Sequence, residues 1–369
     1  MTTTSTTTAA TMGLSFPATT FQKLSPSSYL QRHLQCTPST RPSGRSPSTF
    51  RLATLHTNAL SHAHGSAVVR AGDTAVVCGV RGEVLALTSG EGRTRGRIVV
   101  ERVGVEDGED VEVETHALVV PNLELGTGCS RDYHPGPPTD FAQTTAERLR
   151  TLLLDTIPLV PATTLRIADA DGAVKAYWVL YIDVVVISLD GNVLDTAWAA
   201  IVAALKSVRL PAAIWDQDAE AVVCDPAPEN FRSLELREAG YTASFVVCYN
   251  DGEEGGENAE KECVLSDPDE FEEQVCGEKI TVAVGAGGKI VGIEKSGGLS
   301  DVAKTLPTCI SRARERYQQW SSNPIFVTAT AGNTRPRNSG FTPRFQPLMS
   351  RYRLAHAASV PAASTLCPS

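Results

Sequence analysis

The segment that most constrains this chain is Lys175-Ala-Tyr-Trp-Val-Leu-Tyr-Ile-Asp-Val-Val-Val-Ile-Ser-Leu189. Its β-branched and aromatic residues mark a buried strand. Asp183 interrupts the run, and no apolar stretch reaches the roughly 18 residues needed to cross a bilayer. Asp190-Gly191 is a turn signal that ends the strand. A helix follows at once: Asp195 to Val208 carries Ala197, Ile201, Ala204 and Leu205 on one face and stops before Leu210-Pro211. Strand, tight turn and apolar helix form the unit around which the rest must fold.

Upstream, Ser66 to Val80 gives two β-branched runs around Gly72-Asp73, a hairpin signal. Thr139 to Ile157 is helical in pattern, with Phe141, Ala146, Leu149, Leu152 and Leu153 on one stripe and Pro158 as its stop. Downstream, Ser244 to Tyr249, Cys263 to Ser266, Lys279 to Val284 and Lys289 to Glu294 read as strands. Asp301 to Trp320 is a final amphipathic helix, with Arg312, Arg314 and Arg316 in the half where cations suit the helix dipole. Strands and helices mix without strict alternation, which predicts an α+β fold with helices packed on a mixed β-sheet.

The flanks differ from this middle. Residues 1 to 72 contain no Asp or Glu and are rich in Ser and Thr. That composition imitates a transit peptide, but sparse arginines and the lack of an amphipathic helix point instead to a disordered extension over 1–20. The expected domain spans 21–320, with hydrophilic insertions at about 85–114 and 251–262 and a disordered tail at 321–369. The net charge of −9 leaves no overall attraction for nucleic acid, so any RNA contact needs a local basic patch. Nine widely spaced cysteines without a Cys-x-x-Cys pair read as reduced thiols. His62 and His64 have no third ligand in view, so a polar hairpin surface is expected rather than a metal site.

Several strings carry a resemblance. The hairpin Gly65 to Val80 looks like the opening hairpin of RNase PH-type subunits. Val119-Val-Pro-Asn-Leu-Glu-Leu125, Cys129-Ser130 and Gly136-Pro137-Pro138 are similar to a non-catalytic branch of that family found in the eukaryotic RNA exosome. So are Trp178 to Asp183, Leu189 to Asp195 and Ala203 to Lys206. One departure is Arg41-Pro-Ser-Gly-Arg45, where Ser43 stands in place of an acid.

The resemblance implies an RNase PH-like fold and a structural subunit of a six-membered exosome ring, supporting RNA processing and degradation by other subunits. It implies other RNase PH-type ring subunits, RNA-binding cap subunits, a hydrolytic 3′-5′ exonuclease and RNA as partners. No membrane partner, cofactor or metal is expected, and location would be nuclear, nucleolar and cytoplasmic. An active phosphate-dependent exoribonuclease and a sister ring subunit remain as alternatives. Active relatives hold phosphate with two arginines, whose places here fall on Pro137 and Leu194. Their acidic pair falls on Asp267 and Glu273. Asp267-Pro268 also reads as a turn, and Glu270, Glu272 and Glu273 as a solvated acidic run. Arg93, Arg95 and Arg97 form a tight cationic cluster, and so are candidates for phosphate contact with RNA.

Overall fold

The computed structural model describes residues 17–86, 118–131, 133–169, 172–217, 219–249, 262–298 and 300–322. The first sheet contains β1 (Ala53–Thr57), β2 (Gly65–Ala71), β3 (Thr74–Ala86), β4 (Val119–Leu125), β5 (Arg166–Ala168) and β6 (Val174–Ser188). Its order is β1-β2-β3-β6-β4, with β5 also pairing with β6. The β4–β6 pairing is parallel and the others are antiparallel, so the sheet is mixed as expected. The expected hairpin is present, with Ala71 opposite Thr74 across Gly72-Asp73. In β6 every residue from Ala176 to Leu180 is buried, which accounts for the missing alternation in that part of the run.

Two short pairs follow, β7 (Arg209–Leu210) with β10 (Arg232–Ser233) and β8 (Ala213–Asp216) with β9 (Ala221–Cys224). The second sheet is antiparallel, with β11 (Tyr241–Cys248), β12 (Cys263–Ser266), β13 (Glu278–Val284) and β14 (Ile290–Ser296) in the order β12-β11-β13-β14. The helices are α1 (Ala18–Leu24), α2 (Pro26–Gln35), α3 (Asp140–Thr151), α4 (Val193–Ser207), α5 (Glu270–Val275) and α6 (Val302–Ser321).

The helix read as one-sided, α4, is enclosed on both sides. It packs on β2 and β3 of the first sheet and on β11 of the second. Every residue from Val193 to Leu205 except Asp195 is buried, as expected of a helix without a solvated face. Its alanines permit close approach: a Cβ on Gly65 would lie 2.6 Å from the Ala204 carbonyl oxygen. Trp198 is fully buried and donates its indole N–H to the Gly240 carbonyl at 2.8 Å, tying α4 to the start of β11. Replacing Trp198 with Phe leaves that carbonyl without this donor and opens a small void. The expected loss is about 1–3 kcal/mol, read as a lower urea midpoint with an unchanged m-value.

Three further expectations need correction. The run expected over 139–157 is α3 followed by a π-helical turn, Leu152–Thr156; Ala142, Leu149 and Leu153 are buried and Ala146 and Leu152 pack against the same core, but Phe141 is exposed, on the side turned away from β4 and α4. The acidic run at 270–273 is a capped helix: Asp269 accepts the Glu272 N–H, and Glu272 accepts the Asp269 N–H in return. Finally, Cys248 and Cys276 are disulfide-bonded, with Cα atoms 5.3 Å apart. Their separation of 28 residues hides a pairing that the meeting of β11 with the end of α5 creates. The greater part of both insertions and of both tails lies outside the described residues.

Candidate functional site

The site is built where β6 turns into α4. Gly191 and Asn192 both adopt positive φ, at 72° and 49°, which folds the chain back sharply before Val193 begins the helix. Across from this turn lies another, between β12 and α5, in which Asp267 also has a positive φ of 53°. Asp267 is only 2% exposed.

Arg51 joins the two turns. Its Nε donates to Asp267 Oδ2 at 3.0 Å and its Nη2 to Oδ1 at 2.9 Å, a bidentate pair, and its own backbone N–H adds a bond to Oδ2 at 2.7 Å. The same guanidinium reaches the carbonyls of Asp190 at 2.6 Å and Gly191 at 3.2 Å. Asn192 Nδ2 donates to Asp267 Oδ1 at 2.6 Å and to Asp195 Oδ2 at 2.9 Å. Burial by itself would raise the Asp267 pKa, but the bonds and charge of Arg51, and then Asn192, hold it below the ordinary carboxylate value. Asp195 moves the opposite way: burial raises it, and hydrogen bonds from Asn192 and Ser244 only partly offset this.

Glu273 completes the arrangement. Its Oε1 accepts the Asn192 backbone N–H at 2.6 Å, and its Oε2 pairs with Lys279 at 3.0 Å. The acidic pair therefore does meet, at Asn192, with its oxygens already engaged by protein donors. Glu272 is not solvated: it is fully buried against Arg41 at 3.1 Å. Burial raises its carboxyl pKa against the pull of that cation. Arg41 also donates to the carbonyls of Pro47 and Ser266, and Arg45 to that of Asp267. The Arg41-Pro-Ser-Gly-Arg45 string thus fastens the N-terminal segment to the second turn.

Where the resemblance implies arginines in active relatives, this chain has the apolar side chains Pro137 and Leu194. Leu194 is buried and forms part of a cleft of about 560 Å³, together with Thr144, Arg148, Leu152, Thr281 and Ile293. Arg148 in that cleft is held by Glu294 and Thr281. Pro137 is exposed in the loop before Thr139, the cap of α3. Arg93, Arg95 and Arg97 lie outside the described residues. His64 accepts the Gly82 N–H at Nδ1, and burial lowers its pKa, so the imidazole is neutral. No cluster suited to a metal ion occurs among the described residues.

Arg51, Asn192 and Asp195 were not singled out as site residues from sequence, and Glu272 was placed only in a solvated acidic run. Asp269 followed three residues later by Glu272 is a capping-box pattern that identifies α5. Nothing local to Arg51 announces its role.

A model of the 3′ exoribonuclease family, domain 1, matches residues 49–211. The fission yeast Schizosaccharomyces pombe exosome complex component rrp43 is 34% identical over 304 residues, covering 82% of this chain and 97% of that protein. The exosome complex component Rrp42 of Methanosarcina mazei is 25% identical over 286 residues, covering 75% and 85%. Among solved structures, a chain of the Archaeoglobus fulgidus exosome with RNA bound to the active site aligns with a TM-score of 0.57 at 21% identity, covering 79% of this chain and 94% of that one. An archaeal exosome core chain aligns at 0.55 and 20%. With the mixed sheet, the enclosed helix and these relatives in agreement, the chain belongs to the RNase PH family.

Proposed function

We propose that this chain is a ring subunit of the RNA exosome that acts as a scaffold and performs no phosphorolysis itself. The observation that carries the second half is the saturation of Asp267. A general acid must hold a proton it can release, and a metal-binding carboxylate must have free lone pairs. Asp267 instead accepts Arg51 and Asn192 and has a lowered pKa. Phosphorolysis also needs cations beside the attacking phosphate. Leu194 and Pro137 supply none, and the Asn192 amide at the head of α4 faces Glu273.

The near-complete span of the yeast exosome component supports the ring assignment. Partners are then other RNase PH-type subunits, RNA-binding cap subunits, a hydrolytic 3′-5′ exonuclease and RNA, in nucleus, nucleolus and cytoplasm. The test is an assay of purified chain with oligonucleotide RNA and inorganic phosphate. Nucleoside diphosphate release is expected to match a protein-free control, while affinity capture recovers RNase PH-type subunits. Phosphate-dependent shortening of RNA by the pure chain overturns the scaffold reading, and capture without such subunits overturns the ring.

A further inference from the structure

One feature outside the site has its own chemistry: the disulfide beneath the N-terminal helices. Cys248 closes β11 and Cys276 caps the C-terminus of α5, both nearly buried. Their sulfurs share an apolar cluster with Leu30 of α2, Val246 and Leu265, against which Leu34, Phe271 and Val275 also pack. Leu30 is only 1% exposed. Tyr29 of α2 meets the Phe271 ring of α5 edge-on at 6.1 Å, and Gln31 donates to the Tyr249 carbonyl at 3.0 Å. The bond therefore lies where α2, α5 and the end of β11 converge.

We propose that Cys248 and Cys276 form a redox-responsive disulfide whose oxidation fastens α5 to β11 and thereby holds α2 in place. The Cα separation of 5.3 Å is within the range a disulfide spans without backbone movement. Helix α5 has only six residues and is held from its cap and first turn by Asp269, Glu272 and Glu273, so a covalent tie at its C-terminus fastens the end those bonds leave open. The oxidant is a small disulfide of the glutathione class. One cysteine thiolate attacks a glutathione disulfide sulfur and expels a glutathione thiolate. The second cysteine thiolate then attacks the mixed disulfide and expels the other. Two protein thiols are oxidised, one glutathione disulfide is reduced to two thiols, and the two protein protons pass to the leaving thiolates. In a compartment where glutathione keeps thiols reduced, such a pair closes only under oxidative load.

Cys263 provides the internal control. It lies directly opposite Cys248 across the β11–β12 pairing, remains a free thiol, and is more exposed than either bonded cysteine. The full chain is equilibrated with graded ratios of reduced to oxidised glutathione, quenched in acid, alkylated and digested for mass spectrometry. Backbone hydrogen exchange is followed in parallel. The expected result is a Cys248–Cys276 cross-linked peptide at oxidising ratios, lost at reducing ratios. Exchange in 26–35 and 270–275 should then quicken by at least about tenfold on reduction. Cys263→Ser retains the link and the exchange response. Cys276→Ser shows fast exchange at every ratio, and a soluble Cys248→Ser variant repeats it. Thiols that stay free throughout, a link from Cys248 to Cys263 or between chains, or exchange indifferent to reduction would overturn the proposal.

Discussion

Replacing Asp267 with Ala is expected to lower unfolding free energy by about 3–5 kcal/mol. The cause is not the loss of an attraction alone. Arg51 is nearly buried and keeps its charge at any accessible pH, so removing its bidentate partner strands a cation away from water. Asn192 loses an acceptor in the same step, and the turn before α4 loses its main fastening to the second sheet. Urea denaturation followed by tryptophan fluorescence measures the change. Glu270→Ala is the control, since its bond to Ser130 lies near the surface and should contribute at most about 1 kcal/mol. A variant at Asp267 as stable as that control would show that Arg51 finds other acceptors.

The same carboxylate has a pH signature. Its folded pKa lies below the unfolded value of about 3.9, so its contribution is full above that value. It disappears as pH falls through the lowered folded pKa. The stability gap between the wild type and Asp267→Asn should therefore be constant from neutral pH to about pH 5 and shrink below about pH 4. Glu272, raised by burial, contributes in the opposite sense and cancels in the comparison, whereas Asp195 does not cancel in full, because the Asp267 charge is part of what raises it.

A second large effect is expected at Gly191. Its φ of 72° is costly for any residue with a side chain, and a Cβ there would sit 2.4 Å from the Asp269 carbonyl carbon and 2.6 Å from the Glu270 nitrogen. These are backbone atoms at the head of α5, which cannot rotate aside. Backbone strain and steric overlap together predict a loss of about 2–5 kcal/mol for Gly191→Ala. The damage is directional. Pushing α5 away separates Glu273 from the Asn192 amide and Asp269 from its place beside Arg45. Hydrogen exchange should therefore quicken first in 270–275 and at the start of α4, while the β2–β3 hairpin keeps its protection. Uniform exchange across the molecule would show that the strain is released by global unfolding instead.

The elements that sequence alone determined are those whose physics is local. A long run of β-branched and aromatic residues specifies β6, Gly72-Asp73 specifies the β2–β3 hairpin, and helix propensity with apolar spacing specifies α4 and α6 to within a residue or two.

What sequence could not show depends on contacts distant along the chain. Arg51 meets Asp267 across 216 residues, and Arg41 meets Glu272 across 231. An acidic run is read as solvated unless a buried cation awaits it, and that cation comes from the other end of the domain. Helix α4 was read as one-sided because its alanines score as weakly apolar, while the second sheet that covers it is specified only when β11 folds onto it. The Cys248–Cys276 bond arises likewise, from a strand end and a helix end that only the packed structure brings within reach. Backbone propensity acts over a few residues, whereas burial and charge pairing act over a few ångströms of space, and only tertiary structure converts one distance into the other.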